Sequence, residues 1–217
     1  MKKVIPYKHY DGALKALDNG GRFYNLFTKA RDEEVSPAEL AKVAGVFSDR
    51  QKMFLFLEMA VHDLEEANKQ SLYGNLSTSL RAEHAEHRPQ ALLPSEADER
   101  GVAAKTAIIT GYPRFVTDKT VFSGFIMVPI MAGKTMTFMM IPITDCYDVY
   151  ELSDEVSSKK TFIANVRGLP RLPAVLSRFG GILKETSRDE KGEQKDRLFL
   201  EGIYYTPLEG LSPQTGD

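Results

Sequence analysis

The chain of 217 residues contains a single cysteine, Cys146. One cysteine cannot form an intrachain disulfide, so the sequence excludes a disulfide-stabilised scaffold. This usage is typical of a reducing compartment, and we expect the protein to be cytoplasmic. The first residues, MKKVIPYKHYDG, place no apolar run behind their lysines, which argues against a secretory signal peptide.

An excess of charge of either sign is also absent. The chain has 28 basic and 30 acidic residues and a formal net charge of −2. Residues 1–100 contain 14 basic and 16 acidic side chains, and residues 101–217 contain 14 of each. This balance excludes a basic arm or an acidic tail and lacks the basic excess that is typical of nucleic-acid-binding domains.

Recognisable catalytic motifs are missing as well. The sequence has no G-x-S-x-G, no P-loop and no G-x-G-x-x-G, and its paired glycines at 20–21 and 180–181 are interpreted as helix stops. Cys146 lies beside Asp145 and close to Asp148, whose negative charges disfavour a reactive thiolate. The sequence therefore favours a protein that is not an enzyme, and we expect no cofactor.

One segment is unusually apolar for such a polar chain. Residues 121–143, VFSGFIMVPIMAGKTMTFMMIPI, approach the length of a membrane helix and contain five of the eight methionines. Lys134 lies near the middle, Pro129 and Pro142 interrupt a helix, and β-branched residues favour strands. The segment therefore predicts a β-hairpin and no membrane span. Its methionines suit either core filling or a partner surface.

The first 90 residues have helical patterns. Ser36-Pro37-Ala38-Glu39 is a capping box and predicts a helix start, and Ser48 to Gln51 repeats it. The second box predicts a helix from 49 to about 69, buried on nearly all sides. Further helices are expected at 8–18, at 22–32 and through Leu72, Leu76 and Leu80 to just before Pro89.

The pattern changes after residue 101. Segments 105–112, 121–143, 146–152, 160–167 and 197–205 are strand-like, and 173–181 predicts one short helix. The fold class is therefore α+β, with about four or five helices followed by an antiparallel sheet or a small OB-like barrel with one short helix. The expected divisions are a helical domain at 1–90, a linker at 91–101, a β domain at 102–208 and a flexible tail at 209–217.

Two groups of side chains are candidates for a site. Carboxylates and imidazoles on helices can hold a metal, and the residues with this chemistry are Glu58, His62, His84 and His87. The alternative is that they lie on a solvated helix stripe and a solvated helix end. Aromatic and basic residues of the β part can contact nucleic acid or a partner; these are Tyr112, Arg114, Phe115, Arg167, Arg171 and Arg178.

The sequence favours a non-enzymatic interaction or assembly protein that acts through its β half. Its partner is expected to be another protein or a second copy. Two alternatives stay open: a single-stranded nucleic-acid-binding protein with an OB-like barrel, and a metalloenzyme with its site on the helices.

Overall fold

The computed structural model of the protein describes residues 1–18, 32–46, 48–132, 135–154, 162–167, 171–185 and 198–208. For 119–132, 135–145, 165 and 167 it describes the backbone alone. The helices in these ranges are α1 (Tyr10–Leu17), α2 (Pro37–Ala44), α3 (Arg50–Val61), α4 (Glu66–Gly74), α5 (Thr78–His87) and α6 (Ala97–Arg100). The strands are β1 (Lys2–Lys3), β2 (Gln90–Leu92), β3 (Thr106–Ala132), β4 (Thr135–Ser153), β5 (Phe162–Arg167), β6 (Ser177–Glu185) and β7 (Leu198–Pro207).

The predicted α+β class is confirmed, with most helices before most strands. The seven strands form one sheet in the order β1-β7-β5-β4-β3-β2, and β6 pairs with both β3 and β7. The expectation of an antiparallel sheet needs correction, because β1–β7, β2–β3 and β5–β7 are parallel pairs. The two strands of each pair are not neighbours in a hairpin. The residue pattern within one strand therefore does not show which strand it pairs with or in which direction. The predicted helix at 22–32, except for residue 32, and the predicted tail at 209–217 lie outside the described residues.

Five of the strands are joined in a ring of pairings. β3 pairs with β4, β4 with β5, β5 with β7, β7 with β6, and β6 with β3 again. Alternate side chains of these strands form a buried cluster, since successive residues of a strand point to opposite faces. Its large members include Tyr150, Phe162 and Phe179, which are at most 1% exposed.

A second buried cluster joins the helices to the other face of this sheet. Helix α3 supplies eight buried residues to it, which agrees with the prediction of a helix buried on nearly all sides. Ile108 of β3 and Tyr204 of β7 belong to the same cluster, so the helical and β parts share a core. The segment expected to be a linker forms β2 and α6 and contributes Leu92 and Ala97 to the cluster inside the ring.

The predicted hairpin at 121–143 is confirmed. β3 and β4 pair in antiparallel register from Tyr112 opposite Ser153 to Ala132 opposite Thr135, with irregularities near Phe115 and Phe122. The two connecting residues, at 133–134, lie outside the described residues. Proline and β-branched residues recur throughout this segment. They favour the extended strands of the ribbon and disfavour a helix.

The capping box of α2 is also confirmed. The Ser36 hydroxyl accepts a hydrogen bond from the Glu39 backbone N–H, and the Ser36 backbone N–H donates to the Glu39 carboxylate at 2.8 Å. Helix α2 ends at Gly45, which has a φ of 69°. Left-handed backbone is readily adopted by glycine, so this end is set by the local sequence.

The prediction of one helix from 49 to about 69 is wrong at its C-terminal end. Helix α3 stops at Val61, a turn follows, and α4 begins at Glu66. Tertiary contacts hold the turn, because Asp63 forms an ion pair with Arg178 of β6 at 2.8 Å. The leucine stretch likewise divides, because Ser77 caps α5 after α4 has ended at Gly74.

The prediction of a short helix at 173–181 is wrong. Residues 177–185 are strand β6, which pairs with β3 on one side and β7 on the other. A Cβ at Gly180 would collide with Met59 of α3, and one at Gly181 would collide with the Glu201 backbone. These glycines permit close approach to neighbouring elements, and the sequence offered no local sign that distinguished this role from a helix stop.

Candidate functional site

The two sides of the five-stranded ring differ in what covers them. Helix α3 packs on β3 and β6, and Phe56 of α3 meets the Tyr204 ring of β7 edge-on at 5.9 Å. Among the described residues, no helix packs extensively on β4 or β5. The outer side of β4, β5 and the adjoining part of β3 is therefore the candidate interaction surface.

This outer face is formed by cross-strand rows of residues. The register places Arg114 opposite Glu151 and Glu151 opposite Ile163, and it places Thr117, Val149 and Asn165 in the next row. Val116, at the irregularity in β3, is 47% exposed, and Ile163 is 36% exposed. The Arg114 guanidinium donates to the Glu151 carboxylate, so the charge of this row is internally balanced.

Two of the predicted contact residues pack against each other at one end of the ring. The Arg171 guanidinium lies over the Phe115 ring, 3.9 Å from its centroid, and Phe115 contacts Tyr150 edge-on at 5.7 Å. The Tyr150 hydroxyl accepts a hydrogen bond from the Leu172 backbone N–H at 3.0 Å. Arg171 and Phe115 thus help to close this end of the buried cluster, since aromatic and cation–π contacts favour burial.

The other predicted contact residues do not join them in one surface. Arg178 faces the helices, where its guanidinium donates to Asp63. Tyr112 is half-buried and lies opposite Ser153, next to the row of Arg114. Arg167 pairs through its backbone with Tyr147, and its side chain is outside the described residues. The exposed apolar residues of the outer face, Val116 and Ile163, were not predicted, because their exposure depends on which strands and helices pack together.

Beyond this face, the β3–β4 ribbon continues as an arm, which we define as residues 119–132 and 135–145. β6 pairs with β3 only as far as Gly111, and β5 pairs with β4 only from Tyr147. The two strands of the arm therefore pair only with each other in the part of the chain that the structure describes. A ribbon of only two strands is marginally stable in water.

The structure brings two of the four predicted metal ligands together. The His84 Nε2 atom lies 2.6 Å from Glu58 Oε1, between α5 and α3. Burial alone would raise the pKa of Glu58, but the hydrogen bond from His84 and the nearby positive charge of Arg88 hold that pKa below its ordinary value. Burial and the neighbouring Glu58 carboxylate raise the pKa of Tyr73.

The remaining two imidazoles do not complete a ligand set. His87 stacks on Phe54, with ring centroids 6.2 Å apart, and His62 lies at the end of α3. No group of three metal-ligating side chains occurs among the described residues. The Glu58–His84 pair joins α3 to α5, and the His84 ring contacts both the Phe54 and the Tyr73 rings, with centroids 5.5 and 4.5 Å apart.

Neither a protein-family model nor a curated protein matches this chain. Within the described residues, no helix has both the length and the apolarity that crossing a membrane requires. The candidate site is therefore identified from the geometry of the outer face and the arm.

Proposed function

We propose that this chain is a non-enzymatic assembly protein that binds a second copy of itself through its β half. The observation that supports the proposal most directly is the difference between the two sides of the sheet. Helices cover β3, β6 and β7, whereas Val116 and Ile163 lie exposed beside an arm whose two strands pair only with each other among the described residues. We place this activity in the cytoplasm, as expected for a chain with a single cysteine.

The composition of the arm supports burial against a partner. Residues 121–143 contain one charged residue, Lys134, and their apolar residues occur at both odd and even positions. Since successive residues of a strand alternate between faces, this sequence pattern predicts apolar residues on both faces of the ribbon. A ribbon of this kind is stabilised when both faces are covered. A second copy presents the same outer face and the same arm, so a two-fold assembly covers both at once.

Light scattering coupled to size-exclusion chromatography tests the proposal. We expect the native protein to be a dimer or larger at micromolar concentration. The double variant Val116→Thr, Ile163→Thr keeps β-branched residues but puts hydroxyls into the contact, and its dissociation constant should rise about tenfold. The matched control is Ile5→Thr, Val102→Thr, which changes two other exposed apolar residues, 76% and 49% exposed.

Two results would contradict the assembly proposal. One is a native protein that stays monomeric at all accessible concentrations. The other is an equal loss of association in both double variants, which would show that general surface hydrophobicity, rather than this face, drives it.

A second candidate function is supported by the order of strand pairing. The pairing order β3-β4-β5-β7-β6, with β5 and β7 parallel, is compatible with a small OB-like barrel and supports this candidate. OB folds bind oligonucleotides and oligosaccharides on the face of their second and third strands. Here these strands are β4 and β5, which no helix extensively covers among the described residues. The balanced Arg114–Glu151 row is the reason that this candidate ranks second.

Fluorescence anisotropy with a labelled single-stranded oligonucleotide tests this alternative. Binding should weaken with added salt, because phosphate contacts release counterions. Arg114→Gln should weaken it further, whereas Arg81→Gln, an exposed change on α5, should not. Absence of binding at low salt would rule this candidate out and leave the assembly proposal intact.

A further inference from the structure

A cavity of about 340 Å³ lies where the helices meet the sheet. Its walls come from α3, α4, the segment around β2, and the start of β3. The charged and imidazole side chains that line it are Glu58, His62, Glu66, Lys69, Arg88 and Glu96. The volume is within the range of small-molecule sites, and the cavity is separate from the outer face and the arm.

Each carboxylate in the cavity wall already has a close partner. Glu58 is 2.6 Å from His84 Nε2, and Glu66 accepts a hydrogen bond from the Gln70 amide at 2.7 Å. Glu96 accepts from the Leu93 backbone N–H at 3.1 Å and also from the Arg100 guanidinium. A cationic ligand would therefore compete with existing bonds at every one of these carboxylates.

The two cations of the wall are less well satisfied. Arg88 Nε is 3.8 Å from Glu58 Oε1, and Lys69 Nζ is 3.9 Å from Glu66 Oε2. Both distances are beyond hydrogen-bond length, so the N–H groups of both side chains are available to an acceptor. Lys69 is only 17% exposed in its side chain, which strengthens its interaction with an anion because water screens it less.

Apart from Thr110, the rest of the wall is apolar. Leu92 and Ile108 are 6% and 8% exposed, and Pro89 and Ala91 also line the cavity. We propose that the cavity binds a small organic monocarboxylate, with the carboxylate held by Arg88 and Lys69 and an apolar body against Leu92 and Ile108. A guanidinium and an ammonium both form charge-assisted hydrogen bonds to a carboxylate. The apolar wall excludes a fully polar anion such as inorganic phosphate as the preferred ligand.

Isothermal titration with three six-carbon probes tests the site in the native protein. Hexanoate should bind with a dissociation constant in the millimolar range or tighter, 1-hexanol about tenfold more weakly, and hexylammonium not measurably. Amide chemical shifts should locate the hexanoate effect at residues 88–93 and 108–110. Equal binding of hexanoate and hexanol, preferred binding of hexylammonium, or shifts confined to other regions would overturn the proposal.

Three variants separate charge recognition from shape. Arg88→Gln and Lys69→Gln should each raise the dissociation constant for hexanoate about tenfold and leave that for hexanol unchanged. Ala91→Phe, at an exposed position of the wall, should weaken both probes by occupying space. The matched control is Arg81→Gln, an exposed arginine outside the cavity, for which both constants should stay at the native values. Loss of hexanoate binding in Arg81→Gln, or retention in Arg88→Gln and Lys69→Gln together, would contradict the assignment.

Discussion

The imidazole of His62 gives the protein a specific sensitivity to acid. Burial, together with the positive charges of Arg178 on β6 and Lys69 on α4, lowers the pKa of His62 from 6.5 to about 4. The carboxylates of Asp63 and Glu58 act in the opposite direction and do not offset these effects. The folded protein therefore disfavours the protonated form of the His62 imidazole, whereas in the unfolded chain the imidazole binds a proton with its ordinary pKa.

The direction of the pH dependence follows from proton binding. Above pH 6.5 the imidazole is neutral in both states, so it does not affect the free energy of unfolding. Between pH 6.5 and about 4 the unfolded chain binds a proton that the folded protein does not, so stability falls as the pH falls. The full interval corresponds to about 3 kcal/mol. Since His62 is only half-buried, solvent screening reduces the expected loss to roughly 1–2 kcal/mol.

Urea unfolding of the native protein and of His62→Gln, measured from pH 7 to pH 4, tests this reasoning. The native free energy of unfolding should fall relative to the variant by roughly 1–2 kcal/mol across this range. His9→Gln, at an exposed position before α1, is the matched control, and its curve should run parallel to the native one. Parallel curves for native protein and His62→Gln, or an NMR titration midpoint of His62 near 6.5, would refute the argument.

Three further substitutions test individual positions, two of them glycines and the third Arg178. In Gly181→Ala the new Cβ would lie 2.9 Å from Leu200 Cδ1 and closer still to the Glu201 carbonyl oxygen, so overpacking should lower the free energy of unfolding by about 1–3 kcal/mol. Gly12→Ala in α1, where no atom lies within 4 Å of the added Cβ, should instead stabilise the protein by about 0.4–1 kcal/mol, and urea titration compares the two. Arg178→Gln should cost about 1 kcal/mol by removing the 2.8 Å ion pair with Asp63. The same variant should raise the His62 titration midpoint in NMR, because one positive neighbour is lost; an unchanged midpoint would contradict this electrostatic role.

Local chemistry predicted some elements well because each depends on neighbours in sequence. The box at Ser36 and Glu39 satisfies helix N–H groups within one turn, so its residues suffice to predict the start of α2. The strands of the arm were also predictable from local residues, because proline and β-branched residues disfavour a helix. The turn that follows α3 contains Asp63, whose ion-pair partner Arg178 comes from β6, far along the chain.

In the candidate site, too, residue types were recognisable from the sequence, but their contacts depended on the fold. Glu58 and His84 were recognised as residues that can bind metal, yet their 2.6 Å contact and the lack of a third ligand among the described residues came from helix packing. Arg178 was grouped with Arg114 by residue type, but the fold directs Arg178 to Asp63 on the helical side and Arg114 to Glu151 on the outer face.

The sequence by itself determined that this is an α+β protein without intrachain disulfides, with a helical first part and an apolar hairpin at 121–143, because composition, caps and periodicity act over a few residues. Only the tertiary structure decided that β6 is a strand, that three strand pairs are parallel, that the helices cover one side of the sheet and that a cavity with two loosely paired cations lies at their junction. Those features arise where segments distant in sequence bury surface against each other. Their free energy depends on the partner that each segment meets, and no single stretch of residues contains that information.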